Sequence, residues 1–220
     1  MAGRAEGINE EPLIVTNVQH ILSLSSESYL RSVKRIAIFA SGVGSNAREV
    51  IRYFELHPHA QVTLVVCNKP DAGVLQVAAE FGVETLNIDK SMFQNEQQFL
   101  SELRERGIEL IVLAGFLWLI PSWLVREYPD GIINIHPSLL PKFGGKGMYG
   151  MHVHRAVIAA GEKKSGITIH LVNEHFDEGQ HLAQFETDIP EGTTAEALAQ
   201  RIHDLEHRHF AEVIDAYIGQ

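Results

Sequence analysis

Ile132-Ile133-Asn134-Ile135-His136-Pro137-Ser138-Leu139-Leu140-Pro141 begins as an apolar run and ends in a turn bracketed by two prolines. The run suits a buried strand, and Pro137 stops its ladder because proline has no N–H to donate. Side chains two apart on a strand point the same way. Asn134 and His136 therefore share one face, and Ile133 and Ile135 fill the other. An amide donor and an imidazole are thus expected together at a strand's carboxyl end, where open α/β sheets carry their ligands.

Working outward from that strand, apolar runs alternate with helical patterns in both directions. Strands are predicted over Arg35–Ala40, Gln61–Cys67, Val83–Ile88, Leu110–Ala114, Gly131–Ile135, Gly166–Val172 and His181–Thr187. Helices are predicted over Ala47–His57, Ala72–Phe81, Asn95–Arg106, Pro121–Glu127, Met151–Ala160 and Thr193–Tyr217, the last opening on the capping-box spacing of Thr193 and Glu196. Such alternation predicts α/β: a three-layer sandwich around a mostly parallel, Rossmann-like sheet. Residues 1–34 stand apart, with Glu6, Glu10 and Glu11, a weakly helical piece from Leu13 to Leu24 and a Ser-rich stretch. The expected organisation is an N-terminal extension over 1–34 and one catalytic domain over 35–220.

Composition narrows the function. The formal charge of −10 argues against nucleic acid, whose phosphate backbone calls for a basic face. The longest apolar run, Leu110 to Ile120, is too short to span a bilayer. One cysteine, Cys67, precludes an internal disulfide and fits a reducing compartment. The acidic start lacks the apolar core of a secretory leader and the character of a transit peptide. A cytoplasmic protein acting on small molecules, with no membrane partner, is expected.

Ser41-Gly42-Val43-Gly44-Ser45-Asn46-Ala47 places a glycine loop between a strand and a helix, an arrangement that presents free N–H groups to a phosphate. The same spacing fits the dinucleotide pattern, which needs an acidic residue at the end of the next strand. That strand ends in Cys67-Asn68-Lys69, so the dinucleotide reading is disfavoured. Lys142 to Gly150 also looks like a phosphate loop but lacks the Gly-Lys-Ser/Thr ending that binds magnesium; it reads as a flap made mobile by Gly144, Gly145, Gly147 and Gly150. His203, Glu206 and His207 fit H-x-x-E-H. Among 12 histidines such a pair arises by chance, spacing indicates no third ligand, and no metal is expected. His57, His59 and His209 read as surface residues.

The Asn-x-His-Pro-Ser-x-Leu-Pro motif resembles that of the folate-dependent formyltransferases, and among them the branch that formylates glycinamide ribonucleotide. The likeness runs from about Arg35 to near the C-terminus. It implies formyl transfer from 10-formyltetrahydrofolate, the co-substrate, to the ribonucleotide's primary amine, a step of purine synthesis. It implies Asn134, His136 and Asp177 as catalytic residues, with a carboxylate at 177 favouring the protonated imidazole. Gly44, Ser45 and Asn46 then hold the substrate phosphate, while Glu206 and its neighbour His203 serve the ribose. Leu117, Trp118, Leu119 and Ile120 line the folate pocket, together with Asn134 and the stretch Asn173, Glu174, His175, Phe176 and Asp177. Phe116 reads as core. The chain departs from the pattern at Val43, where many relatives are polar, and at Trp118, where some have arginine. An arginine that some relatives carry in the preceding helix has no counterpart at Asn95–Gln98.

Other members of that fold remain as alternatives. They are a formyltetrahydrofolate hydrolase, a methionyl-tRNA formyltransferase-like enzyme and a non-catalytic nucleotide-binding protein. The hydrolase usually carries an N-terminal regulatory domain and the second a C-terminal nucleic-acid-binding domain. A monomer or a homodimer fits the sequence equally.

Overall fold

The computed structural model describes residues 33–219. The expected extension, with its helical piece at Leu13–Leu24, falls on residues 1–32 and so lies outside the described residues apart from its end.

Seven strands form one sheet: β1 (Lys34–Ala40), β2 (Ala60–Cys67), β3 (Glu84–Asn87), β4 (Leu110–Leu113), β5 (Ile132–His136), β6 (Lys164–Leu171) and β7 (His181–Asp188). Their order is β3-β2-β1-β4-β5-β6-β7. The pairs from β3 to β5 are parallel, and β5–β6 and β6–β7 are antiparallel. The sheet is thus mostly parallel, as its near-continuous apolar strands predict. The last strand is an edge with alternating exposure, as the period-two pattern of a half-buried strand requires.

Helices cover both faces. α1 (Ser45–Phe54), α2 (Gly73–Glu80), α6 (Met151–Ala159) and α7 (Ala195–Ile218) pack on one face around Ile36, Ile38, Val65, Val112, Ile133 and Ile135. α3 (Lys90–Gln94), α4 (Glu96–Glu105) and α5 (Ser122–Glu127) cover the other, around Ala37, Phe39, Val66, Ile111, Leu113 and Ile132. The division follows the strand period: neighbours in sequence go to opposite cores. α1 docks through Ala47, Val50, Ile51 and Phe54, a spacing that puts all four on one stripe.

Boundaries differ from expectation where local chemistry competes. α1 ends at Phe54 rather than His57, because Pro58 disfavours helical backbone in the residue before it. The short α3 has no counterpart in the predicted elements. Asp89 nucleates it by accepting the Met92 N–H at 2.8 Å. The cap of α7 is Thr194, which accepts the Ala197 N–H at 3.1 Å, not Thr193, whose hydroxyl donates to the Pro190 carbonyl. The predicted Thr193–Glu196 box is therefore replaced by a single Thr194 cap, since Ala197 has no side chain that can reach back.

Candidate active site

The carboxyl ends of β1, β4 and β5 open onto one region. β1 runs into Gly44, which caps α1 in the left-handed conformation at φ 83°. A Cβ there would stand 2.7 Å from the Val74 Cα, so only glycine fits. No side chain caps α1, which leaves the amides of its first turn open to an anion. Ser45 and Asn46 are half-buried in that turn.

Asn46 reaches across to α7. Its Nδ2 donates to Glu206 at 2.9 Å, joining two residues predicted for the same ligand although 160 positions apart. Glu206 is buried, and burial raises its carboxyl pKa; the Asn46 hydrogen bond and nearby His203 and His207 oppose that rise. The Asn46 Oδ1 is buried without a partner. His203 is half-buried and His207 exposed, their rings 6.0 Å apart, while Glu206 turns inward to Asn46.

β5 carries Asn134, half-buried, and His136, only 4% exposed. Proline 137 and the following turn are tied down by Thr168, whose hydroxyl donates to the Ser138 carbonyl at 2.7 Å and accepts the Leu140 N–H at 3.0 Å. The loop after β6 brings Asp177 to the same place, with φ at 55°. Asp177 Oδ2 lies 3.6 Å from His136 Nδ1, and its Oδ1 lies 3.7 Å from His170 Nε2. Gly179 makes that approach feasible, since a Cβ there would meet the Leu171 carbonyl oxygen at 1.7 Å.

The flap supplies two backbone contacts that the sequence did not disclose. His136 Nε2 donates to the Phe143 carbonyl at 2.8 Å, and Asp177 Oδ2 accepts the Gly145 N–H at 2.8 Å. One short segment thus holds both members of the His136–Asp177 pair. His170 was missed as well. It is buried, burial lowers its pKa, and its Nε2 accepts the Asn134 amide at 3.1 Å. A histidine among the apolar residues Ile169, Leu171 and Val172 was the available signal.

Beyond β4, Gly115 adopts φ 76° and Leu117 donates its N–H to the buried Ser41 Oγ at 3.0 Å, another contact unseen in the sequence. Leu117 and Leu119 are exposed at 47% and 58%, and Ile120 is buried in the core. Trp118 packs on Phe93 with centroids 5.5 Å apart, and Phe116 joins the same aromatic cluster, as core. On the Asp177 loop, Asn173 accepts the His175 N–H at 2.9 Å, which shapes the turn. Glu174 points outward to Arg126, and His175 and Phe176 are exposed. His59 is on the surface as expected. His57 and His209 are half-buried instead, His57 3.1 Å from Asp215 and His209 stacked on Phe185 at 3.9 Å.

The chemistry available at this centre is a pair of N–H donors, Asn134 and His136, beside a carboxylate. They stand between an anion-ready helix start on one face of the sheet and an apolar loop on the other. Comparison with known proteins identifies the family. A family model described as formyl transferase matches residues 34–214. The chain is 43% identical over 190 residues to the chloroplastic phosphoribosylglycinamide formyltransferase of Vigna unguiculata, covering 83% of this chain and 60% of that protein. It is 40% identical over 192 residues to the phosphoribosylglycinamide formyltransferase of Bacillus subtilis, covering 85% of this chain and 96% of that one. Among solved structures, glycinamide ribonucleotide transformylase 1 from Geobacillus kaustophilus is 35% identical with a TM-score of 0.78, covering 85% of this chain and all of that one.

Proposed function

The chain belongs to the formyl transferase family, and from that premise we propose that it moves the formyl group of 10-formyltetrahydrofolate to the primary amine of glycinamide ribonucleotide. The observation that carries the reading is the meeting of Asn134 and His136 on β5 with Asp177 from the loop after β6, His136 and Asp177 being 3.6 Å apart. The products are formylglycinamide ribonucleotide and tetrahydrofolate, as purine synthesis requires.

In the proposed reaction the amine attacks the formyl carbon, and the carbonyl oxygen becomes an oxyanion. Asn134 and protonated His136 donate to it, an arrangement most effective when the donors are fixed beforehand. The His136 ring exchanges its hydrogen bond to the Phe143 carbonyl for the substrate, a shift that the neighbouring glycines of the flap allow. Asp177 holds the charged ring. The bond from the formyl carbon to the folate nitrogen then breaks, and the proton lost by the amine passes through water to that nitrogen.

The substrates approach from opposite faces of the sheet in this reading. Gly44, Ser45 and Asn46 receive the phosphate, and Glu206 with His203 receives the ribose. Leu117 to Ile120 and Asn173 to Asp177 receive the folate. The catalytic domain is taken as residues 35–220, after an extension over 1–34. The partners proposed are these small molecules, with the chain acting as monomer or homodimer. A cytoplasmic location is supported by Cys67, a buried free thiol, and no described helix is long and apolar enough to cross a membrane.

The test is a spectrophotometric assay of the purified chain with a 10-formyl-folate, with and without glycinamide ribonucleotide. Deformylation that depends on the ribonucleotide is expected. Deformylation without it would replace the transferase with a hydrolase, and none under either condition would leave a binding protein.

A further inference from the structure

The flap from Lys142 to Gly150 is pinned at its root and tied to the catalytic pair at its centre. At the root, Ser138 donates its hydroxyl to the Lys142 carbonyl at 2.7 Å, and Lys142 donates its N–H to the Leu139 carbonyl at 3.2 Å. At the centre, the Phe143 carbonyl accepts from His136 Nε2 and the Gly145 N–H donates to Asp177 Oδ2, each at 2.8 Å. Phe143 adopts φ 57°, a left-handed backbone that a phenylalanine rarely takes, and Gly145 adopts φ 90°. This strained turn sets two backbone groups on the polar atoms that the proposed reaction uses.

Nothing in Asn134, His136 and Asp177 distinguishes an amine from water as the nucleophile. We infer that the same centre holds a latent activity, hydrolysis of the formyl donor, which the flap silences until the ribonucleotide arrives. The inference rests on the formyl-transfer reading above. In the silenced reaction the water oxygen bonds to the formyl carbon, and the bond from that carbon to the folate nitrogen breaks. The nitrogen takes one water proton, and formic acid leaves and ionises. While His136 Nε2–H serves the Phe143 carbonyl, the oxyanion lacks one of its two donors, a loss that costs about 10²–10³ in rate. Release is wired to the ribonucleotide's own residues. The flap runs into α6 at Gly150, and α6 packs against α7, which carries His203 and Glu206. Val153 and Val157 of α6 share one buried core with Leu198 and Ile202 of α7, and Phe143 and Met148 of the flap rest on that core. A ligand seated between α1 and α7 at the Asn46–Glu206 pair therefore bears on the flap.

Ribose 5-phosphate offers the phosphate and the ribose without an amine. Added at saturation to the full chain and a 10-formyl-folate, it is expected to raise formate release about tenfold over the donor alone, with one tetrahydrofolate formed per formate. Two flap variants should show a similar rise with the donor alone. Gly145→Pro removes the N–H that reaches Asp177 and cannot hold a φ of 90°. Gly144→Val puts a Cβ 2.5 Å from the Leu140 Cδ2 and 3.3 Å from the Asp177 Cβ. Adding His136→Ala to either variant should abolish the gain, which ties it to the same centre. Formate release that stays at the donor-alone level with ribose 5-phosphate, or in both flap variants, overturns the inference. Where that chain still transfers formyl to the ribonucleotide, the proposed function stands. A wild-type chain that releases formate from the donor alone as fast as it transfers overturns both.

Discussion

Asn134 and His170 stand directly opposite each other on the antiparallel pair β5–β6, and the Asn134 amide nitrogen lies 3.1 Å from His170 Nε2. The His170 Nδ1–H donates to the Leu171 carbonyl at 2.9 Å, so Nε2 is the bare nitrogen and accepts. Burial keeps the ring below its usual pKa, which preserves that tautomer. His170 thereby takes one N–H of the Asn134 amide and fixes its plane, leaving the second N–H for the substrate. His170→Ala is expected to lower kcat about tenfold, with the ribonucleotide KM within about twofold. His170→Gln, which can still accept, should recover part of the loss. Steady-state kinetics on both variants check this, and an unchanged kcat in His170→Ala removes the role.

Removing a donor or its carboxylate is more severe. Asn134→Ala, His136→Ala and Asp177→Ala should each reduce turnover by about 10²–10³, the usual effect of losing an oxyanion donor. The three act as one unit, so the double variant His136→Ala/Asp177→Ala should be far less impaired than the product of the singles. Circular dichroism would establish that each variant is folded. A folded single variant with near wild-type turnover would refute the assignment of that residue.

Gly44 couples the anion-ready helix start to the core. Gly44→Ala must find room for a Cβ 2.7 Å from backbone at Val74 and must hold a positive φ. Left-handed backbone in a non-glycine residue alone costs about 1 kcal/mol, and the clash adds to it. The variant is expected to melt lower and to show a raised KM for the ribonucleotide with the donor KM unchanged. Differential scanning fluorimetry and kinetics with each substrate varied in turn would show this. A rise confined to the donor KM would contradict the placement of the phosphate.

The strand alternation, both core faces and the Asn134–His136 pair were legible because a period of two leaves a plain mark in sequence. The glycine loop was legible for a similar reason: strand, glycines and helix follow one another without interruption. The partnership of His136 with Asp177 was not, since 41 positions separate them and only resemblance joined them. His170 was hidden because a histidine in a strand carries no sign of which neighbour it faces until the register is known. Phe143 and Gly145 were hidden for a deeper reason. They act through backbone C=O and N–H groups, which every residue possesses, so side-chain identity says nothing about them. α3 escaped notice because five residues are too few to show helical periodicity, and only the cap at Asp89 marks its start.

His154 on α6 links the site to acid stability. It is 3% exposed with no partner for Nδ1, and burial, then the nearby His203 and His136, lowers its pKa from 6.5 to about 4. The folded state therefore favours the neutral ring, and the unfolded chain binds the proton more readily. A depressed pKa gives stability that is full above about pH 6.5 and is lost as the pH falls toward about 4. At about 1.4 kcal/mol per unit, the loss reaches about 2 kcal/mol by pH 5. Other groups titrate in the same range, so the comparison must be with His154→Gln, which keeps a polar side chain but cannot take up a proton. Urea unfolding at pH 7.5 and pH 5 should show the wild type losing about 2 kcal/mol more than the variant. Parallel losses in the two proteins would mean that His154 is not held neutral by the fold.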